Sequence, residues 1–208
     1  MKEIYSTLFL IITDLALQQN LNDLIRDKKM LIKKSLILFS LIILMQGCLV
    51  FHSVSYEVNL DSEKSGTVTM SVSDIRSDAL NTTELEEDKK QLFQELLKSD
   101  DFVRQMSEEG KFILDRKLFI SEGKLNGAIK YSFDDVSKVE SIAYQEPFYF
   151  ITIPLEDSIV STNGEIIVSD NHKRIMWDNS IRTLKFKMFS ADVESGSLVE
   201  LTKYLEEE

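Results

Sequence analysis

Disulfides are excluded first: Cys48 is the only cysteine in 208 residues, so the fold is held without internal covalent staples in any compartment. Glycine is scarce, at seven residues. That leaves little material for phosphate-cradling loops, and no P-loop or GxGxxG run occurs. The two histidines, His52 and His172, lie far apart with neither a cysteine partner nor an HExxH pattern, so no metal centre is expected. A GxSxG nucleophile elbow is missing too. No catalytic set and no cofactor are therefore expected, and the chain reads as a non-enzyme. Basic charge is short as well: 24 Lys and Arg stand against 35 Asp and Glu, a formal net charge of −11. Binding to nucleic acid needs clustered cations and is excluded on that ground.

What is present begins with MLIKKSLILFSLIILMQGC, residues 30–48. Lys33 and Lys34 precede an apolar run from Leu36 to Met45, interrupted only by Ser40, and Gln46, Gly47 and Cys48 follow. The run is within the roughly 7–15 residues of a secretion signal and short of the ~20 of a spanning helix. With Gly47 directly before Cys48, the segment resembles a bacterial lipoprotein signal. Met45 and Gln46 depart from the commonest choices at those positions. The resemblance implies cleavage between Gly47 and Cys48, a diacylglyceryl thioether on Cys48 and N-acylation of the new terminus. It places the protein in the cell envelope, facing the periplasm or exterior, with the membrane as partner. Leu49 rather than Asp after Cys48 favours the outer membrane by the sorting rule of enteric bacteria. The alternative is an uncleaved anchor over residues 35–51, at the lower length limit of a span. Residues 1–29 read as a spurious extension or leader upstream of a start at Met30.

Residues 48–208 suit one domain, large enough to bury a core unaided. The segment is more acidic than the whole, because residues 1–47 hold six basic and four acidic side chains. Acidic headgroups would repel such a domain, so acyl chains must hold it at the bilayer. Val54, Tyr56, Val58 and Leu60 alternate with polar neighbours, as do Val68, Met70 and Val72, which predicts a hairpin across residues 61–66. A helix is expected over residues 83–101, opened by a Thr83–Glu86 capping box, with a further helical piece closed by Gly110. A meander follows through Phe112–Ile120 and Leu125–Phe133. Residues 148–155 are apolar almost throughout, which predicts a strand covered on both faces. Asn163-Gly164 predicts a two-residue type I′ hairpin. Ser197 with Glu200 predicts a second capping box and a terminal helix. The sum is an α+β fold: an antiparallel sheet or meander of about eight strands with two or three helices on one side.

The order of parts (a hairpin soon after Cys48, a helix, then Asn163-Gly164, Trp177 and a final strand) resembles the small β-rich bacterial lipoproteins of the LppM-like kind. Neither resemblance carries catalytic residues. Two functions follow as expectations: a binding module with an envelope protein as partner, or a carrier or sensor of a lipid or other apolar ligand. For the second, Phe148, Phe150 and Trp177 are the candidate lining, against the plainer role of core packing. Asp134-Asp135 and Asp170-Asn171 suit turns and caps rather than Ca²⁺, since neither fits an EF-hand loop.

Overall fold

The computed structural model describes residues 49–193 and 198–205. Gly47, Cys48 and the whole signal segment lie outside them. The class is α+β, with eleven strands and three α-helices among the described residues. The strands are β1 (Leu49–Leu60), β2 (Gly66–Ser77), β3 (Lys111–Ser121), β4 (Lys124–Phe133), β5 (Ala143–Gln145), β6 (Phe148–Ile153), β7 (Ile159–Thr162), β8 (Glu165–Val168), β9 (Lys173–Asp178), β10 (Thr183–Phe189) and β11 (Val199–Glu200). The helices are α1 (Thr82–Lys89), continued by a π-helical stretch Lys90–Leu96, α2 (Asp100–Glu108) and α3 (Thr202–Leu205).

The strands form two antiparallel sheets. Seven make one sheet in the order β3-β4-β2-β1-β10-β7, with β11 added to β2; four make the other, β5-β6-β9-β8. The first hairpin is as expected: Val54, Tyr56 and Val58 face Val72, Met70 and Val68. Both strands run beyond their alternating stretches. Asp74 sits at φ +53, and beyond it Ile75, Phe51 and Leu49 share the apolar face with Val72. The apolar phase has slipped by one residue in both strands at that irregularity. Asp74 is buried there. Burial pushes its carboxyl up, but the Arg76 guanidinium at 2.9 Å and the Lys124 ammonium at 3.0 Å outweigh this and hold it below the usual range.

Two apolar clusters share one face of the large sheet. The first packs that face against the small sheet, through Val58, Val68, Tyr131, Tyr149, Trp177 and Phe186. The second lies under the helices and holds Ile75, Leu92, Phe93, Leu125 and Leu201. Each such side chain contributes roughly 1.5–3 kcal/mol by leaving water.

Several local expectations are corrected. The cap of α1 is Asn81, whose Oδ1 accepts from the N–H groups of Thr83 and Glu84, while the Glu84 carboxylate accepts from Leu80 N–H; Thr83 is already inside the helix. The helix does not reach residue 101, because Ser99 breaks it and caps α2 through Asp101 N–H. Strand β6 is one-sided rather than doubly covered: Tyr149, Ile151 and Ile153 are buried, and Phe148 is 39% exposed. Asn163-Gly164 is no hairpin turn. β7 pairs with β10 in the large sheet and β8 with β9 in the small one, so these two residues carry the chain between sheets. Neither adopts the positive φ of a type I′ turn. Of the expected Ser197–Glu200 box, Ser197 lies outside the described residues, while Glu200 lies in β11, paired to Arg76, and α3 begins only at Thr202.

Asp88 ties α1 to the end of β2. Its buried carboxylate accepts from the Ser77 hydroxyl at 2.5 Å. Burial raises its pKa; the Ser77 bond opposes this, and the charges of Asp78, Glu84 and Glu87 add to the rise. A carboxyl raised in the folded state destabilises the fold fully above its folded pKa. That cost fades as pH falls through the folded value toward the ordinary ~3.9. Asp88→Asn keeps an acceptor for Ser77 and removes the charge. It is expected to add about 1 kcal/mol at neutral pH, raising Tm by ~2–4 °C. Thermal melts of both proteins from neutral to acidic pH check this: the gain should shrink on acidification, and a gain that grows there contradicts the account.

Candidate apolar cleft

Between the two apolar clusters the helices stand off the sheet and leave a cleft of about 330 Å³. Its floor is the large sheet, with Phe51 of β1, Val72 and Ile75 of β2 and Ile129 of β4. Its roof is Leu92, Leu96 and Leu97, followed by Phe102 and Met106 of α2. Leu49, the first residue of β1, also lines it. The roof is where α1 gives way to the π-helical stretch. Such turns are rare and cluster at functional positions, because their wider winding re-aims side chains. The volume falls at the lower end of the ~300–1,000 Å³ usual for small-ligand sites.

Few polar groups reach the cleft. Arg116 lies on the apolar face of β3, below a bulge between Ile113 and Asp115. Its Nη1 donates to Leu96 O at 3.1 Å and Ser99 O at 2.9 Å, closing the open carbonyl end of the first helix. Lys111, on the same strand, pairs with Glu109 at 3.0 Å. Glu140 accepts a hydrogen bond from the Tyr56 hydroxyl at 2.8 Å. Burial, and then the Glu140 charge, push the phenols of Tyr56 and Tyr131 far above their ordinary range, so both remain neutral donors. Glu140 and Ser141 take φ values of +48 and +58, a strained pair beside the cleft.

The candidate lining residues named above lie elsewhere. Trp177 is 1% exposed in the inter-sheet core, its indole N–H bonded to Asn163 Oδ1 at 2.8 Å. Phe150 lies under the Arg174 guanidinium, 5.1 Å from its ring centre. Phe148, at the start of β6, is on the outer side of that strand. None of the three borders the cleft. Cys48 and Gly47 are outside the described residues. His52 packs edge-on against Phe189 at 5.3 Å. Asp135 caps a 3₁₀ turn at Ser137 N–H, and that bond lowers its carboxyl.

Sequence reading missed the cleft because its walls are contributed by four strands and two helices. One signal was present: Arg116 breaks an otherwise apolar strand face. A second recess of about 440 Å³ lies on the outer side of the large sheet, among Ser55, Thr69, Ser71 and Lys187. There Lys185 pairs with Glu57 at 2.9 Å, and most of the lining side chains are hydroxyl-bearing or charged. Among the described residues no group of three or more His, Cys, Asp or Glu is placed to hold a metal, and no helix is long and apolar enough to cross a membrane. No known protein family, curated protein or solved structure matches the chain.

Proposed function

We propose that the chain is a bacterial lipoprotein, tethered to the membrane through Cys48, whose envelope-facing domain is a binding module that takes an apolar chain into the cleft. One observation carries this reading. An apolar recess of about 330 Å³ begins at Leu49, one residue after the proposed lipid attachment. A residue spans at most ~3.6 Å, so whatever holds Cys48 at the bilayer also holds the Leu49 wall of the cleft close to it. A lipid could pass from membrane to cleft without crossing bulk water.

The two halves are tested separately. Cells expressing the full chain are fed labelled palmitate. Cys48→Ser should abolish incorporation and leave uncut precursor, and unchanged labelling would remove the tether. Extracted protein is then weighed intact by native mass spectrometry. Wild type should carry a co-extracted lipid, and Ile129→Phe, which fills the floor at a cost of ~1–3 kcal/mol, should lose it.

A second reading, a module for an envelope protein, is favoured by strand β3. Among the described residues it is an edge strand, with Phe112 and Leu114 45% and 56% exposed. Unpaired edges of this kind accept a partner's strand. Capture of a defined membrane protein, lost on Leu114→Lys, would support it.

A further inference from the structure

We infer that the occupant of the cleft is a single-chain amphiphile with an oxyanion head, carboxylate or phosphate, held by Arg116. The inference rests on the reading of the cleft as a lipid site and adds the chemistry of the head.

Arginine is a costly choice at that position. Position 116 lies on the strand face that also presents Leu118 to the apolar cluster. The side chain is half-buried and its guanidinium is always charged, so the part turned away from water is unfavourable without a counter-charge. Among the described residues no carboxylate pairs with Arg116. Its bonds go to two backbone carbonyls, both through Nη1. Nε and Nη2, the remaining part of the fork, hold no hydrogen bond among the described residues, although the side chain lies in the wall of an apolar recess. A planar fork with two open donors matches the two oxygens of a carboxylate or phosphate.

The surrounding charges agree in sign. Lys111 and Lys117 are further cations on the lining, and Lys111's partner Glu109, 49% exposed, is not part of it. The one carboxylate of the lining, Glu140, is engaged by Tyr56. The chain carries a formal net charge of −11, yet the cleft presents an uncompensated cation. Attraction is thus local to the cleft, while the rest of the surface repels anions.

Capping the helix carbonyls is an alternative reason for Arg116, so the test reads head-group selectivity rather than stability. The full chain in phosphatidylcholine vesicles is irradiated with a fatty acid bearing a diazirine at its methyl end, and separately with the methyl ester of that probe. Labelling is mapped by mass spectrometry. The free acid should label residues 92–106 about tenfold more than the ester, and Arg116→Gln should bring the two within about twofold. Dodecanoate or dodecyl phosphate should compete with the acid, and the better competitor identifies the head. Dodecyltrimethylammonium competing equally well overturns the inference, as does equal labelling of wild type by acid and ester. Labelling by neither probe removes the cleft as a lipid site altogether. Should Arg116→Gln fail to fold, Arg116→Lys, which keeps the charge without the fork, is expected to weaken the preference and leave its direction.

Discussion

Replacing Asn163 with alanine is expected to cost about 2 kcal/mol, chiefly through the one buried group it orphans. The residue joins the two sheets. Its Oδ1 accepts from the Trp177 indole of β9 at 2.8 Å and from the backbone N–H of Lys185 in β10 at 2.7 Å. Its Nδ2 donates to Thr183 O at 2.8 Å. Alanine satisfies none of the three, and the indole N–H is left in a buried site. Each orphaned buried group costs ~1–3 kcal/mol, more than the net value of the bond itself. Asn163 is itself exposed, so water can reach the Lys185 N–H and Thr183 carbonyl, and the buried indole carries most of the cost. The junction is close-packed beside it: a Cβ on the neighbouring Gly164 would stand 2.7 Å from Met176 O and 2.7 Å from the indole nitrogen. At ~2–4 °C per kcal/mol, Tm should fall by roughly 4–8 °C. Trp177, the chain's only tryptophan, reports on the junction, so its emission should also shift to longer wavelength. A melt within 2 °C of wild type with unchanged emission would contradict this account.

Gly66→Ala should be comparably severe for a different reason. Gly66 opens β2, opposite Leu60 of β1 and Phe133 of β4. A Cβ there would lie 2.1 Å from the carbonyl oxygen of Asn59 and 3.0 Å from the Phe133 ring. The obstacle is main chain, so no rotamer change relieves it. The first rungs between β1 and β2 must part, at the centre of the large sheet. Overpacking within side chains costs ~1–3 kcal/mol, and a backbone obstacle should reach or exceed the top of that range. Gly123→Ala is the useful comparison, because no atom lies within 4 Å of its Cβ; only its φ of +75 is strained there. Denaturant melts should show Gly66→Ala well below Gly123→Ala. The reverse order would mean the hairpin end yields more easily than the packing implies.

The parts of the fold that were legible in sequence are those set by local periodicity. Val54 to Leu60 and Leu125 to Phe133 alternate cleanly, and both are strands of the large sheet. What was illegible depended on which sheet a strand joins. Asn-Gly between two apolar runs is the local signature of a hairpin, and here tertiary pairing overrode it, sending β7 and β8 to different partners. The ends of the first hairpin were hidden by the irregularity at Asp74, because apolar positions beyond it fall out of phase with those before it. Asn81 was missed as a cap because Thr83 offered an equally good pattern two residues later. Of the candidate site, only Arg116 announced itself, as a charge on an apolar strand face. The aromatic residues that drew attention, Phe148, Phe150 and Trp177, stand out in sequence for their size. Two of them lie on or near the surface of the small sheet, and the third is core.

Strand β1 starts at Leu49 and is hydrogen-bonded on both sides, to β2 and to β10, along most of its length. A pull applied at residue 48 therefore runs down the long axis of an interior strand. The ladder bonds lie across that axis, so they are loaded in shear, all together, rather than peeled one at a time. Whatever grips the chain just before Leu49 has hold of the domain by its mechanically strongest member, and drag on the domain is borne by the whole sheet rather than by a loose end.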